Sequence, residues 1–251
     1  LVLPNLNMPL FFLNDMVKSI AIVGGSSDIA KSTISSMSAD NYKFHVLVRD
    51  DSHTDELSDL GVNVILGDAT SEEDIKNFIS GVKESGEIHA ILHCVGSFAV
   101  RPPHAMSKEA FEAVISTNLT SAFLTLSIAG KAMLSQGHGR MVFMSSVAGS
   151  LGLVNHEAIS AAKGGIESMV RSAAATYANR GLRINAVAPG LTDTKLASPI
   201  MSNETASQAA SQKIPIKRVG QKEEVAKVIK WLLTEAPENF TGQILHTDGG
   251  M

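Results

Sequence analysis

The sequence predicts an α/β domain built on a seven-stranded parallel sheet that is doubly wound, with helices on both of its faces. Three observations support this fold class. Short β-branched apolar runs recur along the chain, a longer amphipathic stretch follows each of them, and 251 residues suit one domain of this kind. Strands that alternate with helices form βαβ units, which pair in parallel through right-handed crossovers.

The individual elements follow from where the periodicity changes. The apolar runs are nearly continuous, as expected for strands that helices cover on both faces. Strands are predicted at residues 19–23, 44–48, 62–66, 90–95, 140–144, 183–187 and 243–246. Helices are predicted at residues 28–39, 71–83, 108–117, 118–135, 155–179 and 222–234. Residues 191–219 form a long, mostly polar insertion without strong periodicity, and such segments are usually functional or mobile.

Composition excludes several classes of protein. Lys and Arg number 21 and Asp and Glu 25, so the net charge is −4 and no extended basic surface for nucleic acid is indicated. Cys94 is the only cysteine, which excludes a disulfide within the chain. No run approaches the about 20 apolar residues that span a bilayer. We therefore expect a cytoplasmic protein that binds neither nucleic acid nor membrane.

The first fifteen residues are apolar, but no cationic region precedes them and no small-residue cleavage site follows, which argues against a signal peptide. We expect residues 1–15 to be a disordered or non-native extension. A single domain is expected at residues 16–251.

The turn after the first predicted strand is glycine-rich. Glycine permits a tight turn, and the N-terminus of the following helix offers free N–H groups and a positive dipole end to a phosphate. A purely structural turn is the alternative, because any βα loop can use glycine. The candidate phosphate-binding residues are Gly24, Gly25, Ser26, Ser27 and Ile29.

A cation follows the second predicted strand, where a dinucleotide fold contacts the adenosine ribose. An acidic residue there would bond a 2′-hydroxyl, whereas Arg49 accommodates a 2′-phosphate. Asp50 and Asp51 follow at once and weaken the distinction. NADP is therefore favoured, and NAD remains possible.

Further motifs occur in a fixed order along residues 18–251. They are Gly67-Asp68-Ala69, His93-Cys94-Val95-Gly96, Thr117-Asn118-Leu119-Thr120, Ser145-Ser146-Val147-Ala148-Gly149, Arg183-Ile184-Asn185-Ala186-Val187-Ala188-Pro189-Gly190 and Asp248-Gly249-Gly250-Met251. In this order and spacing the chain resembles the short-chain dehydrogenase/reductase family, particularly its 3-oxoacyl-carrier-protein-reductase-like branch.

The resemblance implies a Rossmann-type fold and an oxidoreductase that transfers a hydride between a nicotinamide cofactor and a small carbonyl or alcohol. It implies catalytic roles for Asn118, Ser146 and Lys163. It implies a lid at residues 191–219 and a homo-oligomer, a tetramer or dimer, built through the long helices. The cofactor-binding residues that it adds are Asp68, Ala69, Gly96, Lys163, Pro189, Gly190, Thr192 and Thr194.

Two positions of the family's glycine motif are changed here. Ala30 replaces the last glycine and adds one methyl group. Asp28 replaces the middle glycine, and its carboxylate would repel a pyrophosphate unless it points away or caps the helix as a favoured N-cap residue. We expect weakened but retained nucleotide binding.

The family's catalytic tyrosine is also replaced. The family protonates the substrate oxygen with a tyrosine four residues before the lysine, and here that position is Ile159. Neither Tyr42 nor Tyr177 has a lysine four residues further on. The usual general acid is therefore missing.

His156 is the candidate replacement for the missing acid. It precedes Ile159 by three residues and Lys163 by seven, which places all three on one helical face. Histidine changes charge near neutral pH and can serve as an acid. The alternative is that His156 and Glu157, beside Asn155, cap the start of the helix.

Three functions remain open from the sequence. The first is an NADP-dependent reductase or dehydrogenase with an atypical proton donor. The second, favoured by Ile159 and the changed glycine motif, is a nucleotide-binding sensor or subunit partner without turnover. The third is an interaction protein of fatty-acid metabolism that binds no nucleotide. His93 and Cys94 lack a second ligand pair at metal spacing, so no metal is expected.

Overall fold

The computed structural model describes residues 18–251; the expectation for residues 1–15 lies outside this part. Seven strands form one parallel sheet in the order β3-β2-β1-β4-β5-β6-β9, and β7 pairs with β8 beside it. The doubly wound parallel sheet is confirmed. The strands are β1 Lys18–Val23, β2 Tyr42–Val48, β3 Asn63–Leu66, β4 Ile88–His93, β5 Gly139–Met144, β6 Leu182–Pro189, β7 Thr192–Asp193, β8 Gly220–Gln221 and β9 Ile244–Thr247.

Helices cover both faces of the sheet. They are α1 Asp28–Ser36, α2 Thr54–Ser58, α3 Glu72–Glu84, α4 Lys108–Ile115, α5 Ser121–Leu134, α6 Glu157–Tyr177, α7 Ser198–Met201, α8 Glu204–Lys213 and α9 Lys222–Thr234. Alternate residues of β1 point to opposite faces, so Ile20 and Ile22 pack with α1 and α9, whereas Ala21 and Val23 pack with α3, α5 and α6. Both faces are apolar because both are buried.

The strand order reverses beside β1. The chain proceeds from β1 outward to β2 and β3, then crosses back to place β4 on the other side of β1. A crevice opens at the carboxyl ends of the strands at such a reversal, and ligands of open α/β sheets bind there.

The two helices predicted at residues 108–135 form one helical stretch, in which a π-helical turn, Ser116–Thr120, separates α4 from α5. By length and composition alone, Lys108–Leu134 could cross a membrane, contrary to our expectation that no run approaches that length. This is weak support for a membrane span. Burial of Ala122, Leu126 and Ala129 against the sheet accounts for the apolar composition, as in other helices that pack in a protein core.

The insertion at residues 191–219 is more regular than its sequence indicates. It contains β7, a 3₁₀ turn at Lys195–Ala197, α7 and α8, although no strong periodicity was found in it. Helix α8 carries alanines but few large apolar residues. The intrinsic helix propensity of such residues favours the helix, although it has no marked apolar stripe. Helix α2 was also missed because it is one short turn.

Candidate active site

The predicted site residues meet at one cleft of about 1200 Å³ at the carboxyl edge of the sheet. All of them except Gly25 line it, and Ile159 lines it as well. The lining residues among those predicted are Gly24, Ser26, Ser27, Ile29, Arg49, Asp68, Ala69, Gly96, Asn118, Ser146, His156, Lys163, Pro189, Gly190, Thr192 and Thr194.

The two glycines of the first turn are required for different structural reasons. Gly24 has a φ of +86° and a Cβ there would lie 2.7 Å from Val95 Cγ2, so the turn requires glycine. A Cβ on Gly25 would lie 1.7 Å from Val46 Cγ1 on β2. Gly25 thus lets the turn pack closely on the sheet; it does not line the cleft, and its predicted part in phosphate binding stays a prediction.

The N-terminus of α1 faces this cleft without a side-chain cap. Ser27 is the N-cap residue, yet its side chain makes no cap hydrogen bond, whereas Ser71 and Ser107 cap α3 and α4 in the usual way. The first N–H groups of a helix need an external acceptor when no side chain supplies one. An anionic pyrophosphate fits this position.

Asp28 is not the N-cap residue of α1, so the capping alternative is not supported. It is the first helical residue, and its Oδ2 accepts a hydrogen bond of 2.6 Å from the backbone N–H of Lys195 in the insertion. Its Oδ1 lies 3.6 Å from Lys31 Nζ. The carboxylate therefore joins the glycine-rich turn after β1 to the insertion, and Lys31 partly neutralises the charge of the carboxylate.

Lys31 is itself buried and fully paired. It is 8 % exposed, and its Nζ donates to both carboxylate oxygens of Glu56 at 2.9 Å. Asp28, Lys31 and Glu56 form a chain of alternating charge beside the first turn. A negative ligand at α1 thus meets an acid whose charge is only partly compensated.

The end of the cleft beside β2 and β3 carries an exposed cation and two acids that accept local hydrogen bonds. Arg49 is exposed at the end of β2. Asp50 Oδ1 accepts a hydrogen bond of 3.2 Å from Ser52 N, and Asp68 Oδ1 accepts bonds of 2.8 Å from both the N–H and the hydroxyl of Thr70. The backbone hydrogen bond from Thr70 lowers the pKa of Asp68. Both acids accept local hydrogen bonds, and the nearby charge of Arg49 also lowers the pKa of each.

Lys163 is buried at the deep end of the cleft. It projects from α6, is 6 % exposed, and donates a hydrogen bond of 2.8 Å from Nζ to the carbonyl of Met144 at the end of β5. Burial lowers its pKa to about 8. The Met144 carbonyl was not foreseen, because a backbone acceptor leaves no signal in the sequence.

Asn118 lies beside Lys163 and is held from two sides. Its Nδ2 donates to Ser97 Oγ at 2.9 Å and to the Val114 carbonyl at 3.0 Å, and its Oδ1 accepts from Ser97 N at 3.3 Å. A Cβ on Gly96 would lie 3.4 Å from Asn118 Oδ1 and 3.7 Å from Lys163 Nζ. Gly96 thus keeps this corner open. Ser97 was missed by the sequence analysis.

The two adjacent serines after β5 have different partners. Ser145 Oγ donates to Glu167 Oε1 at 2.9 Å in a buried position and is fully engaged. Ser146 Oγ accepts a bond of 3.2 Å from Ala148 N, which leaves its own hydrogen available. Ser146 is therefore the serine that can donate to a carbonyl oxygen in the cleft.

The position at which the family resemblance predicts a tyrosine is apolar. Ile159 is 7 % exposed and belongs to a small apolar cluster with Val114, Ala148, Ala158 and Ala162. The isoleucine offers no hydrogen bond to Lys163, one turn further along α6.

The side chain of His156 lines the cleft directly before α6 begins. It is the N-cap residue, but its side chain makes no cap hydrogen bond, so the capping interpretation is not supported. Its Nδ1 lies 2.7 Å from the Val154 carbonyl and must carry a hydrogen to bond there. A proton on Nε2 is therefore present only in the imidazolium form.

His93 and Cys94 end β4 beneath the cleft. His93 Nε2 pairs with Ser121 Oγ at 3.0 Å, and burial lowers the pKa of His93 to about 3, which keeps the imidazole neutral. Cys94 donates to Ser27 Oγ at 3.3 Å, and burial raises the pKa of its thiol. Across residues 18–251 there is no group of three or more His, Cys, Asp or Glu side chains that could hold a metal ion.

This arrangement is typical of dinucleotide-binding α/β proteins, because an uncapped helix N-terminus and a glycine turn lie at the switch point of a doubly wound sheet. The chain belongs to the short-chain dehydrogenase/reductase family. A family model described as enoyl-(acyl carrier protein) reductase matches residues 24–251. The family resemblance predicted from the motifs is confirmed.

Relatives and solved structures agree with this assignment. The chain is 32 % identical over 235 residues to the 3-oxoacyl-[acyl-carrier-protein] reductase MabA of Mycobacterium tuberculosis, which covers 93 % of this chain and 92 % of MabA. A short-chain type dehydrogenase/reductase from Mycobacterium ulcerans superposes with a TM-score of 0.88 at 25 % identity, covering 93 % of this chain and 89 % of that one.

A structure of ElxO with NADP bound is also similar. Its TM-score is 0.86 at 26 % identity, and the match covers 92 % of this chain and 97 % of ElxO. A Tyr-to-Phe variant of ElxO with NADPH bound matches equally well. NADP(H) is thus a cofactor within the family.

Proposed function

We propose that this chain is an NADP(H)-dependent oxidoreductase acting on a small carbonyl or alcohol, with a proton donor other than the family's tyrosine. The observation that carries the proposal is the convergence of Lys163, Ser146 and Asn118 in the cleft that the uncapped end of α1 enters. When bound, the cofactor supplies or accepts the hydride.

The residues around the cleft suit such a cofactor along its whole length. The glycine turn and the first turn of α1 would hold the pyrophosphate, Arg49 a 2′-phosphate, and Asp68 with Ala69 the adenine. The nicotinamide end would meet Lys163 and four residues at and after the end of β6, namely Pro189, Gly190, Thr192 and Thr194. In the cleft, Ser146 would donate its free hydroxyl hydrogen to the substrate oxygen.

Coenzyme preference tests the assignment of Arg49. We expect Arg49→Ala to weaken NADPH binding about 10- to 100-fold and to leave NADH binding within about twofold, because only the 2′-phosphate uses a charge-assisted contact. Calorimetric titration with each coenzyme measures both affinities.

The control for this experiment is Arg101→Ala, which removes another exposed cation from the loop after β4. It should leave both affinities unchanged. Equal losses for NADPH and NADH in the Arg49 variant would contradict the proposed contact, and no heat from either coenzyme with the unmodified chain would overturn the proposed function.

His156 is the proton donor that we propose. Because its Nδ1 donates to the Val154 carbonyl, Nε2 is the ring nitrogen that would give the proton to the substrate oxygen. We expect His156→Ala to lower the turnover of a ketone or aldehyde about 100-fold.

His104→Ala is the matched control, since His104 is exposed on a 3₁₀ turn that does not line the cleft. Steady-state rates of NADPH oxidation across the pH range provide the measurement. Unchanged turnover of the His156 variant would rule out the proton-donor role.

A nucleotide-binding protein without turnover is the second candidate, and Ile159 favours it. An apolar side chain at this position can neither give nor take a proton. Single-turnover oxidation of bound NADPH with a panel of ketones and aldehydes distinguishes the two functions. Bound NADPH that stays reduced with every member of the panel would favour the second.

We also propose that copies of the chain assemble through the long helices. Phe111 on α4 and Phe123 on α5 are 40 % and 56 % exposed, although both are large and apolar. Helix α6 has 21 residues and offers the length that a helical interface needs. A second copy covering the two phenylalanines would remove them from water.

A further inference from the structure

The buried amine of Lys163 differs from the other buried amine of this chain. Lys31 is equally enclosed, but two carboxylates surround it, Asp28 and Glu56. Lys163 has the Met144 carbonyl as its hydrogen-bond acceptor, and across residues 18–251 no carboxylate forms an ion pair with its Nζ. A buried ammonium that has no counter-ion loses the free energy of its hydration, and no attraction to an opposite charge offsets that loss.

None of the side chains packed around Nζ supplies a negative charge that would stabilise the ammonium form of Lys163. His93, on β4, is kept neutral by burial, and Cys94, the next residue, is a buried thiol whose pKa is raised. Glu167, one turn further along α6, is engaged by Ser145. Ile159, one turn earlier, is apolar. These surroundings therefore raise the fraction of free amine above that of an exposed lysine.

Lys163 also borders an open volume. It lines the cleft of about 1200 Å³, and Gly96 leaves the space next to Nζ unfilled. Apolar side chains also line this cleft, including Phe98, Leu153 and Ile200. A neutral primary amine in an apolar cleft is the arrangement in which lysine adds to carbonyl compounds.

We propose that, in the nucleotide-free chain, Lys163 captures aldehydes of apolar character as a reversible Schiff base. Nζ attacks the carbonyl carbon, and the carbinolamine that forms loses water. The carbonyl oxygen leaves with the two amine hydrogens, and a C=N bond joins Nζ to the former carbonyl carbon. No oxidant or reductant is consumed. The free hydroxyl hydrogen of Ser146 is placed to assist departure of the oxygen.

This activity does not rest on hydride transfer. It competes with nucleotide binding, since the same Nζ would serve the nicotinamide end of a bound cofactor under the proposed function. Capture and nucleotide binding can therefore be measured separately.

The experiment traps the Schiff base. The full chain without nucleotide is treated with hexanal and sodium cyanoborohydride at pH 7, and hexyl-lysine is located by peptide mass spectrometry. With a pKa of about 8, Lys163 is about 10 % free amine at pH 7, against less than about 0.1 % for an ordinary lysine. At limited conversion we expect alkylation of Lys163 to exceed that of exposed Lys227 by about tenfold or more.

The pH profile and a variant complete the test. The rate at Lys163 should rise up to about pH 8 and then level, because the amine is then mostly free, whereas the rate at Lys227 should keep rising. Ion-paired Lys31 should stay unmodified, and Lys163→Met should remove the dominant labelled peptide. Labelling of Lys163 no faster than that of Lys227 in the unmodified chain overturns the proposal, whether or not the variant folds.

Addition of NADP before hexanal distinguishes the two proposals. Protection of Lys163 supports both. Labelling that persists at saturating NADP still supports capture by Lys163 and counts only against the placement of the nucleotide.

Discussion

Replacement of Ile159 by tyrosine should raise NADPH-dependent turnover of a ketone or aldehyde by about 100-fold or more, since a well-placed general acid contributes about 10²–10⁴-fold. Ile159 lines the cleft one turn before Lys163 on α6, so a phenol there would extend into open volume toward the amine. The Lys163 ammonium would favour the phenolate and lower the tyrosine pKa, and under the proposed function Ser146 would donate to the same substrate oxygen.

Ile159→Phe is the control that separates the hydroxyl from the ring. Both variants enlarge a side chain in the apolar cluster around Ala148 and Ala162, at a cost of about 1–3 kcal/mol of folding free energy. Only the tyrosine can give a proton. Rates of NADPH oxidation by the three proteins, normalised to folded protein, provide the comparison. A tyrosine variant no faster than the phenylalanine variant would show that more than the phenol is missing from this site.

Asp28→Asn should tighten NADPH binding about 5- to 30-fold. A carboxylate about 6 Å from a phosphate, at an effective dielectric constant of about 20, costs about 3 kcal/mol per charge pair. Lys31, at 3.6 Å from the carboxylate, offsets part of this cost, which leaves about 1–2 kcal/mol to be gained. Asparagine keeps an oxygen that can accept the Lys195 N–H, so the contact between the turn and the insertion is retained.

Asp40→Asn is the matched control for charge alone. Asp40 pairs with Lys230 at 2.8 Å and precedes β2, at the opposite edge of the sheet from the cleft. Calorimetric titration at low and moderate salt measures both variants, and the gain from Asp28→Asn should shrink as salt screens the repulsion. Unchanged or weaker NADPH binding in the Asp28 variant would mean that no phosphate lies near this carboxylate.

The elements that local pattern specifies were predictable. Each of the seven strands was found within a few residues, because an apolar run between turn residues has few alternatives in a chain that alternates strand and helix. Helix α9, Lys222–Thr234, was located to the residue, since its apolar stripe and its polar ends are both distinct. Helix α8 was missed because its stabilising residues are small and leave no stripe.

Contacts between distant segments could not be predicted. The bond from Lys195 to Asp28 joins residues 167 positions apart, and no periodicity records such a pairing. Gly25 is required by Val46 on the neighbouring strand, so its role emerges only when β1 and β2 are side by side. The π-helical turn at Asn118 is held by Ser97, which follows a different strand.

By itself the sequence determined the doubly wound sheet, the family and the residues that gather at its carboxyl edge, because periodicity and motif spacing are local properties of the chain. Only the tertiary structure decided the chemical state of those residues. It buried Lys163 without a counter-ion, left Ser146 with a free hydrogen while engaging Ser145, and turned Asp28 toward the insertion. Solvation and hydrogen-bond partners depend on which segments meet in space.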